Sequence, residues 1–312
     1  MKTLCLLAML CSAFPTIAVR DQVVPCVVRI ETAGGLEKVG KNWAIPVTTG
    51  VVVGEDGWIL SSSVGFAHEP SAILVCLADG SRLPAQRVGT DGHRRLALLK
   101  VTLPEGKTLP VVRVAAKTSF AVGQDCMALG RGADGKAVSL SVGILSAVER
   151  MAGLAIQTDA AISPDNYGGP LVNARGEVMG ILTPFGMEND SPYSGVELYD
   201  SGVGFAIPME DALAILPRLK EGNLEPPPAL GVAFNHPNPV FSDTVIFWVQ
   251  KGSLAEKQGL AKGDQILRVN GQDVRRGIDV EKVLAQNYAG DSLKIDYKRQ
   301  NEEKTVVFPL TL

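Results

Sequence analysis

Histidine is scarce in this chain, with three in 312 residues. Five cysteines are present and none stands in a Cys-x-x-Cys pair, so no metal site is legible and no cofactor is called for. Charge of one sign is lacking too: 30 Lys and Arg against 33 Asp and Glu leave a net charge of −3. A chain without a basic footprint is not expected to bind nucleic acid. Beyond the N-terminus no apolar run approaches the roughly 20 residues that a membrane span needs. There is no HExxH, no P-loop and no Ser-x-x-Lys in a suitable context, which removes several ready-made catalytic solutions.

What is present is ample apolar material. With 46% apolar and 20% charged residues, the chain can bury one or two full cores. Valine and glycine are abundant in short strand–turn units, the pattern of a mostly β protein. The first residues carry Lys2, an apolar run from Leu4 to Phe14, and then Thr16-Ile17-Ala18. This reads as a cleaved secretory signal over 1–18, with an uncleaved anchor as the alternative. Cys11 lacks the small preceding residue that lipidation would require. Cys26, Cys76 and Cys126 then remain, each in an apolar run; three buried thiols are expected, and one disulfide with a thiol left over stays open.

Val23 to Ile30 reads as a strand. Thr48 to Ser61 reads as a hairpin around Gly54-Glu55-Asp56-Gly57, and a second hairpin turns at Asp79-Gly80. Met209 to Leu219 has helical spacing, with Pro217 shortening or kinking it. Gly222 to Pro228, with three consecutive prolines, reads as a semi-rigid linker. After it, Gly252 to Leu260 suggests a short helix ending at glycine, Asn270-Gly271 a tight turn, and Asp279 to Asn287 a helix with Val280, Val283 and Leu284 on one face.

The stretch from Thr158 to Leu182 organises the rest. A polar loop, Ser163-Pro164-Asp165-Asn166-Tyr167-Gly168-Gly169-Pro170, lies between two strand-like runs. Its Pro and Gly residues fix the backbone, as a loop that aims N–H groups at one point requires. The stretch closely resembles the nucleophile loop of trypsin-like serine proteases of the HtrA (Deg) family. The hairpin ending Ile59-Leu60-Ser61, the run Thr90-Asp91 to Leu96-Ala97-Leu98-Leu99-Lys100-Val101, and Gly204-Phe205-Ala206-Ile207-Pro208 resemble the same family's segments. The run Ser253 to Val274 resembles a PDZ signature. The resemblance implies a chymotrypsin-like double β-barrel over 19–221, the linker at 222–228, and a PDZ domain over 229–312.

The resemblance also places the family's catalytic histidine, aspartate and serine at Val64, Arg95 and Tyr167, and a glycine of its oxyanion loop at Asp165. Valine has no lone pair, arginine would repel an imidazolium, and a phenol with an ordinary pKa near ~10 stays neutral at pH 7. Aspartate tolerates positive φ less well than glycine and would oppose an oxyanion. His68, four residues past Val64, reads as a solvated loop residue, Asp91 and His93 as an exposed turn, and Ser61, Ser62 and Ser63 as a polar strand end. In the PDZ domain, Leu230, Gly231 and Val232 are expected to hold a terminal carboxylate, with Val283 and Leu284 lining the pocket for the last side chain. Ala229 departs from the usual aromatic residue there.

The expectation is thus a secreted or periplasmic pseudoprotease with no catalytic residues. It would bind peptides or unfolded protein C-termini through the PDZ domain, with a homo-oligomer or an active HtrA relative as the candidate assemblies. Alternatives are a serine endopeptidase with relocated catalytic groups and a holdase chaperone using the cleft.

Overall fold

The structure is a computed structural model that describes residues 15–33, 38–39, 42–43, 47–132, 137–186, 194–198 and 201–311. Most of the expected signal segment lies outside the described residues. Helix α1 (Thr16–Val23) carries the expected cleavage residues in its first turn and buries Val19 and Val23. A 3₁₀ turn, Val24–Cys26, follows, so the expected strand is helical until Val27. Pro25 explains this: its fixed φ suits the start of a helical turn and it has no N–H for a ladder.

Six strands close the first barrel: β1 (Val27–Ala33), β4 (Val47–Gly54), β5 (Trp58–Ser62), β6 (Ala72–Cys76), β7 (Arg82–Asp91) and β8 (Leu96–Val101). A short pair, β2 (Lys38–Val39) and β3 (Asn42–Trp43), leaves the barrel between β1 and β4. The expected β4–β5 hairpin pairs Gly50 with Ser61 and Val51 with Leu60. Val28, Ile30, Val52, Ile59, Val75 and Leu99 fill the interior. Each such side chain contributes about 1.5–3 kcal/mol when fully buried.

A second closed barrel joins β9 (Asp125–Arg131), β10 (Val138–Arg150), β11 (Ala155–Thr158), β12 (Pro170–Asn173), β13 (Val178–Leu182) and β14 (Gly204–Pro208). Thr49 stitches the barrels together. Its Oγ1 donates to the Asp165 carbonyl at 2.6 Å and accepts from Arg131 N at 2.8 Å, while its N–H donates to the Tyr167 carbonyl at 2.9 Å. The helix expected over Met209 to Leu219 is broken into α2 (Met209–Ala214) and α3 (Leu216–Glu221), with Pro217 in the first turn of α3.

The third unit contains β15 (Val232–Phe234) paired with β16 (Ile246–Val249), then α4 (Leu254–Lys257), β17 (Gln265–Val269), β18 (Gln272–Asp273), α5 (Gly277–Leu284), β19 (Ser292–Arg299) and β20 (Glu302–Pro309). Its core includes Leu230, Ile246, Ile266, Val280, Val283, Ile295 and Phe308. Cys26, Cys76 and Cys126 are buried free thiols, so no disulfide forms among them.

At the junction of the units, Leu224 of the linker is tied to the first barrel: its N donates to Thr90 O at 2.7 Å and its O accepts from Gly92 N at 3.2 Å. One expectation changes here: Asp91 and His93 do not form an exposed turn. Asp91 is fully buried and His93 half-buried. Tyr288, just past α5, donates its hydroxyl to Asp91 Oδ2 and accepts from Arg94. The Tyr288 ring lies between the guanidinium groups of Arg94 and Arg218, at 5.2 and 4.7 Å. Burial lowers the His93 imidazole pKa below its usual value, although the Asp91 charge pulls the other way. The turn is covered because the third unit docks on it, a long-range event that no local composition encodes.

Candidate functional site

Val64 and Tyr167, a hundred residues apart, meet in one buried cluster with Ala160, Ile162 and Leu182. Val64 is 2% exposed on the 3₁₀ turn Ser63–Phe66 that follows β5. Tyr167 is 3% exposed and follows the 3₁₀ turn Pro164–Asn166. Burial, with a smaller contribution from the Glu197 charge, pushes the Tyr167 phenol up to about 12. It is therefore neutral at pH 7.

The loop's backbone is committed inward. Asn166 N donates to Ser163 O at 2.9 Å and Tyr167 N to Pro164 O at 3.2 Å. Asn166 Oδ1 accepts from Ser163 N and Oγ, both at 2.9 Å, which caps the turn. Asp165 is not among the residues with positive φ. The expected conflict at this position thus resolves without strain: the loop takes a right-handed helical turn that aspartate accepts, and the turn consumes the Tyr167 N–H. Gly168 does need its glycine, with φ of +84° and the Thr49 carbonyl and Ser61 hydroxyl where a Cβ would sit.

Arg95 stands at the wall of this cluster, 9% exposed and itself in the left-handed region at φ +55°. Its carbonyl accepts from Ser63 N at 2.9 Å, which ties it to the Val64 turn. Its guanidinium donates to Ser194 O at 2.7 Å and Pro184 O at 3.3 Å and covers the Phe185 ring at 5.5 Å. Desolvation lowers its pKa, and Glu197 partly offsets that. Arg95 therefore ties the chain at Pro184 to the chain at Ser194. The space between Tyr167, Thr183, Phe185 and Leu198 is about 10 Å³, which is about one water.

The hydroxyls of Ser61 and Ser62 are occupied. Ser61 Oγ donates to Thr49 O at 2.7 Å, and Ser62 Oγ shares a 2.7 Å bond with Thr183 Oγ1. Both serines are buried, so the expected polar strand end is an internal network. His68 lies exposed, past the end of the Val64 turn. No group of three or more His, Cys, Asp or Glu side chains suited to a metal ion occurs among the described residues.

The third unit offers a different cavity. A groove of about 450 Å³ runs between β15 and α5, lined by Leu230, Gly231, Val232, Phe234, Glu281 and Leu284 among others. Gly231 has φ +78°, and a Cβ there would meet the Ser253 side chain. The strand pairs with β16 on one edge only, so its other edge faces the groove. Of the residues expected here, Val283 does not line it: that side chain turns into the core, 4% exposed. Val280 and Glu281 stand on the groove side instead. The helix begins at Gly277 rather than Asp279. The i, i+1, i+4 set Val280, Glu281, Leu284 was legible as one face only once the strand it covers was known.

Comparison with known proteins agrees with this geometry. Residues 48–181 match the trypsin-like peptidase domain and residues 228–310 match the PDZ domain. The chain is 32% identical over 279 residues to the putative serine protease HhoA of Synechocystis sp., covering 80% of this chain and 67% of that protein. It is 33% identical over 276 residues to a probable periplasmic serine endoprotease DegP-like of Pseudomonas fluorescens, covering 83% of this chain and 55% of the relative. The chain thus spans between about half and two thirds of the length of these relatives. Among solved structures, the HtrA-type protease AlgW with a tripeptide superposes with a TM-score of 0.72 at 26% identity, covering 95% of this chain and 96% of that one. Two closed barrels, a PDZ domain and these likenesses together place the chain in the HtrA family of trypsin-like serine proteases.

Proposed function

We propose that this chain is a non-proteolytic HtrA-family protein that binds peptides through its PDZ groove and acts in a periplasmic or secreted setting. The observation that carries this reading is the joint burial of Val64 and Tyr167 in an apolar cluster. Acyl transfer needs a nucleophile, a base that takes its proton, and N–H donors aimed at the oxyanion. Here the position of the base carries valine, the position of the nucleophile carries a phenol raised to about 12, and the Tyr167 N–H is bonded within the loop. Arg95 holds the insertion instead of orienting an imidazole. A holdase working through this cleft gains no support, since the space beside Tyr167 has room for about one water.

The groove supports the peptide-binding half. Leu230, Gly231 and Val232 frame one end, and the free edge of β15 suits addition of an extended peptide as a strand. Partners would be free C-termini, and assembly with copies of itself or with an active relative would concentrate them. Periplasmic placement draws on the DegP-like relatives' names. No helix among the described residues is long and apolar enough to cross a membrane.

The second reading, a serine endopeptidase with relocated catalytic groups, is favoured by the names of those relatives. The two are separated by incubating the purified protein with unfolded casein and with a fluorophosphonate probe. No labelled serine and no cleavage is the expected result. A labelled serine, abolished together with cleavage by its alanine substitution, would establish the second reading.

A further inference from the structure

Among the residues lining the PDZ groove, Glu281 is the one carboxylate, and no Lys or Arg lines it. Glu281 has no ion-pair or side-chain hydrogen-bond partner among the described residues. Elsewhere in this domain buried Asp264 pairs with Arg299, buried Asp296 with Arg268, and exposed Glu303 with Arg268. Its carboxyl is solvent-accessible, yet desolvation at the groove wall raises its pKa above the usual value. A carboxylate on a binding wall without Lys or Arg lacks a counter-charge that a ligand can supply.

The direction of the groove fixes which ligand residue reaches it. Phe234 packs beside Gly277, the first residue of α5, so the N-terminal end of α5 lies at the Phe234 end of β15. Leu284, at the far end of α5, therefore falls beside Leu230 and Gly231, where a terminal carboxylate would sit. From Leu284 to Glu281 the helix rises about 4.5 Å. Along an added strand, the residue two before the last lies about 6.6 Å from the last, with its side chain on the same face. The penultimate side chain points to the opposite face. A long cation two residues before an apolar C-terminus thus reaches Glu281, while the same cation at the penultimate position does not.

We propose that Glu281 makes this groove selective for C-terminal peptides that end in an apolar residue and carry Lys or Arg two residues before it. The inference rests on the peptide-binding reading above. The strength expected of a partly exposed ion pair is about 1 kcal/mol or less, or up to about fivefold in affinity.

The test is fluorescence polarisation on the full chain with labelled decapeptides ending Arg-Ala-Leu, Ala-Arg-Leu, Ala-Ala-Leu and Glu-Ala-Leu. The expected order places Arg-Ala-Leu about fivefold tighter than Ala-Ala-Leu, Ala-Arg-Leu level with Ala-Ala-Leu, and Glu-Ala-Leu weakest. The preference should shrink between about 0.05 and about 0.5 M salt as screening tightens. Glu281→Lys should reverse it, favouring Glu-Ala-Leu, and Glu281→Gln should flatten it. If the peptides bind with equal affinity and Glu281→Lys changes none of them, the selectivity is refuted while peptide binding stands. An equal gain for Ala-Arg-Leu and Arg-Ala-Leu refutes it too, since that is unspecific attraction. If no peptide binds and amidating the C-terminus changes nothing, the peptide-binding reading itself falls.

Discussion

The barrel cleft and the PDZ groove are both places where the fold could take a peptide, and they have been filled in opposite ways. In the cleft, Tyr167 and Val64 occupy the space with apolar bulk, Arg95 holds the Ser194 carbonyl, and the space beside Tyr167 is about 10 Å³. In the groove, glycine holds the loop open, one strand edge is unpaired by any other strand, and about 450 Å³ remains. Chemistry needs polar groups poised in space, whereas packing needs that space closed. The cleft has gone to packing and the groove has not. What distinguishes a working site here is unspent volume and unspent hydrogen-bonding groups, since both regions keep their framework.

The largest test attempts to reverse the cleft. Removing a whole triad costs on the order of 10⁶ in turnover in a well-studied protease, so even partial restoration stands out above background. Val64→His, Arg95→Asp and Tyr167→Ser together are expected to give casein cleavage close to that of the unmodified protein, because Tyr167 N remains bonded to Pro164 O in the helical turn. Adding Asp165→Gly, which permits the loop to leave that turn, is expected to give measurable cleavage and fluorophosphonate labelling. Strong proteolysis from the triple change would show that the loop imposes no block.

Next in size is the packing role of Tyr167. Tyr167→Ala should destabilise the protein by about 3–5 kcal/mol, the range for losing a large buried ring, measured by urea unfolding. The affinity of the groove for an Ala-Ala-Leu peptide should stay unchanged. A loss under ~1 kcal/mol would mean that the ring is not part of the core, and the contrast between sealed and open sites would weaken.

The same residue gives a pH signature. Its folded pKa of about 12 lies above the ordinary phenol value of about 10. A group whose pKa is raised on folding contributes stability that is complete below the unfolded pKa and is lost as pH rises. Stability should therefore be flat in this respect up to about pH 10 and fall between about 10 and 12, with a limiting slope of about 1.4 kcal/mol per pH unit. Tyr288, also raised by burial, adds to the fall. Tyr167→Phe should flatten the curve partly; identical slopes for the two proteins would place the phenol in water.

Much of this was legible in the sequence, for particular reasons. The β4–β5 hairpin and the break at Pro217 follow from local turn chemistry and from proline's missing N–H. The three substituted positions were readable because their flanking strands keep a recognisable pattern, and the structure brings Val64 and Tyr167 together. What failed was long-range. The turn at Asp91 and His93 looks solvated until Tyr288 covers it from nearly two hundred residues away. Val283 and Val280 share one helical face, and which of them meets the groove depends on how α5 is rolled against β15. Arg95 could be read as a lost aspartate but not as a staple, because its acceptors are backbone carbonyls that any residue would offer.

The smallest expected effect asks whether cleft and groove are independent. Tyr288 joins them: it follows α5, which lines the groove, and its hydroxyl meets Asp91 four residues before Arg95. Tyr288→Phe keeps the ring between Arg94 and Arg218 and removes only the hydroxyl. Asp91 still accepts from the N–H groups of His93 and Arg94, both at 2.8 Å, and stays 3.6 Å from the Arg94 guanidinium. The carboxylate therefore loses one of several partners, at a cost of about 1–2 kcal/mol in unfolding. Peptide affinity should change by less than about twofold, because Val280, Glu281 and Leu284 line the groove and the lost bond is between Tyr288 and Asp91. A change of about tenfold, or ~1.4 kcal/mol of coupling, would instead make the sealed cleft and the open groove two ends of one mechanical unit. The insertion held by Arg95 would then be the part that the groove controls, since Arg95 immediately follows Arg94, the residue through which Tyr288 grips the barrel.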